Sequence, residues 1–375
     1  MENGQRITLE LIDMAPGGEA IGRHEGLVVF VPFGLPGEQV EVEITEQKRN
    51  FMRGRIVHVL QAASARVQPL CKYFGVCGGC EWQQVAYAAQ VQFKTKIVCE
   101  QLTRIGKLNA PNVLPCIPSP TAYGYRNHAR LARSTQGKPG YRASGSHDVI
   151  EVDDCPILEE AVNVQLRQIA GQEVKLASAE LDLSTTSPTI QVGDFTYQVS
   201  PDAFFQVNTQ VASLLVMEVL RALSLGGKER VLDLYCGVGL FTLPMAVQAK
   251  TVIGVEANPI ATEDARRNAA AFPQVKIITD TVENALKRRE IRQQRWDAVV
   301  VDPPRAGVER KALASIVALH PPKLVYVSCD PATLARDAKV LCDSGYVLQV
   351  AQPLDMFPQT HHVETVVVFL MSEGR

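Results

Sequence analysis

The chain has no apolar run of 18 residues, about the length a helix needs to span a bilayer, so membrane insertion is not expected. It opens without a positively charged leader ahead of an apolar segment, so export is not expected and a cytoplasmic location is. Net charge is nearly absent too. Lys and Arg number 38 against 40 Asp and Glu, leaving −2, so any affinity for nucleic acid has to come from local patches rather than the total. No internal repeat or low-complexity segment is evident, which sets aside repeat architectures. What is present is 375 residues with 46% hydrophobic and 21% charged content, enough for two or three soluble domains with a sizeable core. The nine cysteines are an odd number. In a chain without a leader they point to a reducing compartment, where cysteines serve metals or catalysis more often than disulfides.

Residues 5 to 60 read as short strands at Ile7–Leu11, Leu27–Val31, Gln39–Thr45 and Met52–Val59, punctuated by Pro16-Gly17-Gly18 and Gly34-Leu35-Pro36-Gly37. Such spacing predicts a small barrel. Lys48, Arg49, Arg53 and Arg55 surround Phe51 with no acid among them, a pattern shared by RNA-facing loops and solvated basic turns. Cys71, Cys77 and Cys80 follow, with Gly75, Gly78 and Gly79 between them. Three thiols this close, on backbone able to wrap an ion, suggest a metal or iron–sulfur site, which calls for a fourth thiolate. Cys155, followed by Pro156, is the best candidate. Cys99 in a predicted helix and Cys116 in a Pro-flanked loop are weaker choices, and zinc is the alternative filling. The helical pattern spans Trp82 to Leu108. Tyr123 to His147 then lacks Asp and Glu but carries Arg126, Arg130, Arg133, Lys138 and Arg142, interleaved with Tyr123, Tyr125 and Tyr141. Cations for phosphates and rings for bases form a nucleic-acid footprint, although a solvated β-ribbon shares the pattern.

From about residue 201 strands and helices alternate, with strands expected at Arg230–Leu234, Thr251–Glu256, Val275–Thr279, Ala298–Val301, Lys323–Ser328, Tyr346–Ala351 and Glu364–Leu370. This predicts an α/β, doubly wound, mostly parallel sheet. Cys329 and Asp302 each follow a buried strand, so both should face the crevice at the carboxyl edge, where ligands bind in such sheets. A lone buried cysteine is usually inert, but a thiol and a carboxylate at paired strand ends suggest covalent chemistry. The first strand ends in Asp233-Leu234-Tyr235-Cys236-Gly237-Val238-Gly239. Thr242 replaces the third glycine of a dinucleotide fingerprint, and Asp233 suits an amino group better than a pyrophosphate. Glu256 ends the next strand where a carboxylate can hold ribose hydroxyls, and Asp280 ends the third near an adenine amine. Together they favour S-adenosylmethionine (SAM) over NAD.

These residues resemble the signature of the RNA (uracil-5-)-methyltransferases. The resemblance rests on Asp233–Gly239, on Val301-Asp302-Pro303-Pro304-Arg305-Ala306-Gly307, on Ser328-Cys329-Asp330-Pro331-Ala332-Thr333-Leu334-Ala335-Arg336-Asp337, on His362-Val363-Glu364, on Phe204-Phe205-Gln206-Val207-Asn208 and on the cysteine spacing. It covers nearly the whole chain. It implies a Rossmann-like SAM-dependent methyltransferase domain (84–115 and 201–375), an OB-type TRAM-like barrel (1–64) and an α+β iron–sulfur domain (65–83 and 116–200). It implies that Gln206, Tyr235, Glu256 and Asp302, with Asp280 less surely aligned, contact SAM, and that Cys71, Cys77, Cys80 and Cys155 hold a [4Fe–4S] cluster. Leu240 departs from the Asn found in some rRNA-modifying members.

Carbon 5 of uracil is too poor a nucleophile to take a methyl group unaided. A thiolate adding to carbon 6 makes the ring an enolate, and Cys329 is the expected nucleophile, its thiol acidified by the helix beginning near Pro331 and by nearby cations. Glu364 is the expected base for the carbon 5 proton, provided burial raises its pKa, with Asp302 the runner-up. The target base has to leave its stack. The partner is then RNA, 23S rRNA by the barrel and cluster cysteines, with tRNA the alternative, and the chain is expected to act as a monomer without an obligate protein partner. An inactive RNA-binding iron–sulfur protein is the rival from another class, separated by whether Cys329 and Glu364 approach one pocket.

Overall fold

The structure is a computed structural model that describes residues 4–172, 180–184 and 189–372. The chain forms two compact units. One comprises Met1–Ile97, Thr121–Thr185 and Phe357–His361, and the other Val98–Pro120, Thr186–Met356 and His362–Arg375.

In the first unit, β1 (Arg6–Met14), β2 (Ala20–His24), β3 (Leu27–Val31), β4 (Gln39–Gln47) and β5 (Phe51–Gln61) close a barrel in the order β1-β2-β3-β5-β4. Its core follows from period-two alternation: Leu9, Leu11, Val29, Val31, Val40 and Val42 are buried, while the residues between them are half-buried or exposed. The ring closes where β3 and β5 pair in parallel, Val28 opposite Phe51. β2 was not expected, because it carries one β-branched residue and a central glycine. A Cβ at Gly22 would lie 3.1 Å from the Glu10 carbonyl oxygen, so the strand is chosen for close backbone approach rather than propensity.

Helix α1 (Tyr87–Arg104) follows. Ile97 and Phe93 pack with Trp82, Val85, Met14 and Leu35, so the first part of the helix lies with the barrel unit and the division falls at Ile97. The expected boundaries placed all of 84–115 with the catalytic domain. Next come β6 (His128–Arg133), β7 (Pro139–Arg142), β8 (Val149–Glu151), α2 (Glu160–Ile169) and β9 (Glu180–Ser184). The strands form an antiparallel sheet, β8-β7-β6-β9. Val162 and Leu166 of α2 bury against Ala129, Leu131 and Leu183.

The second unit begins with a hairpin, β10 (Thr189–Val192) and β11 (Phe195–Gln198), which the expected boundaries gave to the central domain. It continues as α3 (Thr209–Leu223), β12 (Arg230–Leu234), α4 (Thr242–Gln248), β13 (Thr251–Glu256), α5 (Pro259–Asn268), β14 (Val275–Thr279), α6 (Val282–Ala285), α7 (Arg289–Arg292), β15 (Ala298–Val301), α8 (Arg310–Ala318), β16 (Lys323–Ser328), α9 (Pro331–Asp343), β17 (Tyr346–Leu354) and β18 (Glu364–Met371). The sheet order is β14-β13-β12-β15-β16-β18-β17. Strand order reverses between β12 and β15, the switch point at which open α/β sheets bind ligands. β18 runs antiparallel to both its neighbours, so its first residue, Glu364, lies at the edge where β12, β15 and β16 end. Among the described residues no helix is long and apolar enough to cross a membrane.

Candidate active site

The loop after β12 turns sharply. Tyr235, Gly237 and Gly239 all have positive φ, at 63°, 54° and 95°. A bulky residue in that region costs on the order of 1–3 kcal/mol and persists where surroundings over-determine it. Glu256, at the end of β13, accepts hydrogen bonds from the backbone N–H of Gly237 (3.2 Å) and Asn258 (2.7 Å), which aims its carboxylate at this loop. Beneath lies Asp233, fully buried. Its Oδ2 accepts from the Thr242 hydroxyl at 2.5 Å, while its Oδ1 has no hydrogen-bond partner, and burial pushes its carboxyl up to about 7. A Cβ on Gly237 would meet nothing within 4 Å, so space is open over the loop. Gln206 is buried just before Asn208, which caps α3 and donates to the Ser119 hydroxyl (3.1 Å) and the Met356 carbonyl (3.3 Å). Asp280 donates its N–H to the Glu256 carbonyl at 3.0 Å, but its carboxylate is taken. Arg288 donates two hydrogen bonds to its Oδ2 and holds its carboxyl below the usual range.

Cys329, Glu364 and Asp302 converge. Ser328 pairs with Thr365 across β16 and β18, so the next antiparallel step sets Cys329 opposite Glu364. Asp302, one residue past β15, donates its N–H to the Leu234 carbonyl at 3.2 Å. Glu364 is 4% exposed, and burial pushes it up to about 7. Asp302 is pushed well above the carboxylate range by desolvation, then by Glu364, Asp233 and Glu256. Burial pushes the Cys329 thiol up to about 12, with Glu364 and Asp302 adding to it and Arg305 opposing them. This corrects the expectation of an acidified thiol. The helix N-terminus that was to favour the thiolate is already capped by Asp330, whose Oδ1 accepts from the N–H of Ala332 (3.0 Å) and Thr333 (2.9 Å). Arg305 and His362 were not singled out by their own chemistry. The guanidinium lies 3.1 Å from His362 Nδ1 and 3.9 Å from the Asp330 carboxylate, and its position between the Asp302 prolines and the Cys329 turn was the available signal.

In the first unit Cys71, Cys77, Cys80 and Cys155 line one cavity of about 180 Å³, together with Arg126 and Tyr141. Loops place them, with Cys77 tied by an isolated β-bridge to Ala143 just past β7. Cys77 N–H donates to the Tyr73 carbonyl, and Asn163 clasps Cys155 through its N–H and its carbonyl. Burial pushes Cys80 up to about 12 and Cys155 to about 11. Cys99 and Cys116 do not line this cavity. Among the described residues, no three His, Cys, Asp or Glu side chains are arranged around a single ion.

The acid-free segment keeps Arg130, Arg133 and Arg142 exposed, as expected of a footprint, but pairs cations with acids and turns one ring inward. Arg130 meets Asp182 (3.1 Å), Lys138 meets Glu151 (3.4 Å) and Arg142 meets Glu180 (3.9 Å), all acids outside the segment. Tyr125, 2% exposed, donates its hydroxyl to the Pro358 carbonyl, and Tyr141 packs on the core of the four-stranded sheet. Burial of the Tyr125 ring is invisible in a count of charges. On the barrel, Arg53 lies over Phe30 and Phe51, 5.7 and 5.8 Å from the ring centroids, and is paired with Glu19 and Glu46.

A family model described as tRNA (uracil-5-)-methyltransferase matches residues 157–372, and a TRAM domain model matches residues 2–57. The 23S rRNA (uracil(1939)-C(5))-methyltransferase RlmD of Pectobacterium atrosepticum is 34% identical, over 99% of this chain and 95% of its own. An uncharacterized RNA methyltransferase of Nitratidesulfovibrio vulgaris is 32% identical, over 99% of this chain and 97% of its own. The crystal structure of the Pyrococcus abyssi tRNA (uracil-54, C5)-methyltransferase in complex with S-adenosyl-L-homocysteine superposes with a TM-score of 0.71 at 25% identity, covering 97% of this chain and all of that one.

Proposed function

We propose that this chain, which belongs to the tRNA (uracil-5-)-methyltransferase family, methylates carbon 5 of a uridine in 23S rRNA through a covalent adduct. As a member it is a SAM-dependent RNA methyltransferase with an amino-terminal TRAM domain. The observation that carries the reaction is the antiparallel register that sets Cys329 opposite Glu364 beside Asp302.

The residues at the switch point fit SAM. The orphaned Asp233 oxygen, the open space over Gly237 and the aimed Glu256 carboxylate together suit a ligand with an amino group and ribose hydroxyls. Each Glu256 oxygen keeps a lone pair beyond its backbone bond. Gln206, Tyr235, Glu256 and Asp302 would hold the ligand, whereas Asp280 would have to share oxygens already taken by Arg288 and the Thr281 N–H. When bound, SAM supplies an electrophilic methyl group on a positively charged sulfur. Positive charge near Cys329, Asp302 and Glu364 favours their ionised forms, so a thiol held protonated in the free protein becomes available as thiolate. Cys329 would then add to carbon 6 of the flipped uracil, and carbon 5 would take the methyl group from the sulfonium, whose methyl–sulfur bond breaks to leave S-adenosyl-L-homocysteine. Glu364 removes the carbon 5 proton, and the carbon 6–sulfur bond breaks to release 5-methyluridine. A carboxyl pushed up to about 7 is a better base for that step than an ordinary glutamate.

Cys71, Cys77, Cys80 and Cys155 would hold a [4Fe–4S] cluster. Four thiols line one cavity of about 180 Å³, a donor set suited to a four-thiolate cluster, with zinc the alternative filling. Iron charge would offset the burial of four thiolates, and the methyl transfer moves no electrons through it.

The rRNA target rests on the relative named for 23S rRNA, at 34% identity over nearly the whole chain. The tRNA reading is kept by the full-length likeness to a tRNA enzyme. Methyl transfer from labelled SAM to unmodified 23S rRNA and tRNA transcripts, with anaerobically purified protein, decides between them. Label in 5-methyluridine of rRNA supports the proposal, label in tRNA alone moves the substrate, and label in neither overturns it.

A further inference from the structure

Helix α9, which follows Cys329, ends its first half in Arg336-Asp337, a pair to which the reaction above gives no role. Asp337 is 2% exposed, and its carboxylate is saturated. Oδ2 accepts from the Tyr326 hydroxyl at 2.7 Å and from the Val308 N–H at 2.9 Å, and Oδ1 accepts from Arg336 Nε at 2.8 Å. Arg336 in turn donates from Nη2 to the Ala306 carbonyl at 3.0 Å, and Thr333, one turn earlier, donates its hydroxyl to the Arg305 carbonyl at 3.2 Å. The backbone of Arg305, Ala306 and Val308 is therefore fastened to α9. Gly307 completes the fit. Its φ is +78°, and a Cβ there would lie 2.5 Å from Arg336 Nη2 and 2.8 Å from Asp337 Oδ2.

We propose that Asp337, with Arg336, is a positioning residue that clamps the Pro304–Val308 turn so that the Arg305 guanidinium stands beside the Cys329 sulfur when the thiol attacks. The clamp rests on the reaction proposed above and adds to it. The strands that carry Asp302 and Cys329 pair in parallel only as far as Val301 and Tyr326, so the ladder ends before the Pro304–Val308 turn and leaves that turn to be held by other contacts. A buried carboxylate taking donors from β16, from α9 and from the turn after β15 supplies that connection, and it does so without touching the reacting atoms. Leaving such a group half-satisfied is costly, which makes the arrangement rigid.

The test uses Asp337→Asn, Gly307→Ala and Arg336→Gln in the full chain. Gly307→Ala disturbs the clamp from the opposite side, and Arg336→Gln alters a half-exposed side chain and so keeps the test alive if a buried variant does not fold. Thermal melts check folding and calorimetry gives the SAM dissociation constant. Adduct formation is followed as a denaturant-stable complex with RNA carrying 5-fluorouridine, which has no proton at carbon 5 to lose and so holds the adduct. SAM affinity is expected to stay near wild type while the adduct rate falls about 10–100-fold, the cost of misplacing a group by about 1 Å. The alkaline limb of that rate should also move to higher pH, because Arg305 is the cation facing Cys329 among Glu364, Asp302 and Asp330. A wild-type rate and limb in folded variants overturns the clamp. Adduct formation by Cys329→Ala would instead overturn the reaction itself.

Discussion

The crevice at the sheet edge and the thiol cavity of the first unit both hold acids that burial pushes up, Asp233, Asp302, Cys329 and Glu364 in the one and Cys77, Cys80 and Cys155 in the other, yet they are assembled differently. The crevice is a product of sheet topology. Asp233, Glu256, Asp302, Cys329 and Glu364 stand at or beside the ends of strands whose order and direction bring them together. The cavity is built instead on loops, since Cys71 and Cys80 lie outside any strand, Cys77 is tied by an isolated β-bridge to Ala143 just past β7, and Cys155 is held by a side chain of the helix after it. Burial raises Glu364 and Asp233 to about 7 in one, and Cys80 to about 12 and Cys155 to about 11 in the other. Positive charge would favour the ionised forms in each, and the function proposed above assigns that charge to a sulfonium in the crevice and to iron in the cavity. The lesson is that a site can be prepared by leaving acids underpaired as well as by supplying donors.

The comparison breaks most sharply at Cys329. Cys329→Ala should reduce methyl transfer to background while SAM binding, measured by calorimetry, persists, and residual turnover near wild type would remove the crevice as the seat of the reaction. Glu364→Gln should be next. Turnover is expected to fall about 10²–10⁴-fold, with a covalent RNA–protein complex accumulating on denaturing gels, and prompt release of product would exclude Glu364 as the base. The wild-type pH profile sharpens this. A base has to be ionised, so product release should rise with pH through about 7. Stability runs the other way: the folded-state pKa lies above the unfolded one, so this group's contribution is fully present below about 4.5 and is lost as pH rises through about 7. Melting temperature of the ligand-free protein should register that loss. The smallest effect on the crevice is expected from the cavity. Cys155→Ser should lose iron, read by absorbance and metal analysis, while Cys116→Ser keeps it, and SAM affinity should stay within about twofold because none of the cavity cysteines is among the residues proposed to hold SAM. Equal iron in both variants would return the fourth ligand to an open question of identity.

How much could be read beforehand follows the same division. The strands Arg230–Leu234, Thr251–Glu256, Ala298–Val301 and Lys323–Ser328 fall where their apolar runs put them, because strands buried on both faces are continuous hydrophobic words. Cys329 and Asp302 were legible for that reason. The barrel strand at Ala20–His24 was not, since close packing at Gly22 leaves no compositional trace. The segment 123–147 misled in part, for a related reason. Its spacing is that of a ribbon, but which face turns inward is decided by α2 and β9, and the acids that neutralise Arg130 and Arg142 lie on β9, nearly 40 residues or more away. The acidity of Cys329 failed on one residue, because Asp330 is both part of the motif that identifies the thiol and the cap that takes the helix N-terminus from it.

The reversed direction of β18 has a practical corollary for handling the protein. A strand that starts at the crevice with Glu364 finishes, at Met371, on the far rim of the same sheet. An affinity handle or surface tether attached after residue 372 would therefore leave the sheet from the rim opposite Cys329, so binding of SAM or RNA to immobilised protein can be measured without the attachment chemistry crowding the opening it is meant to report on.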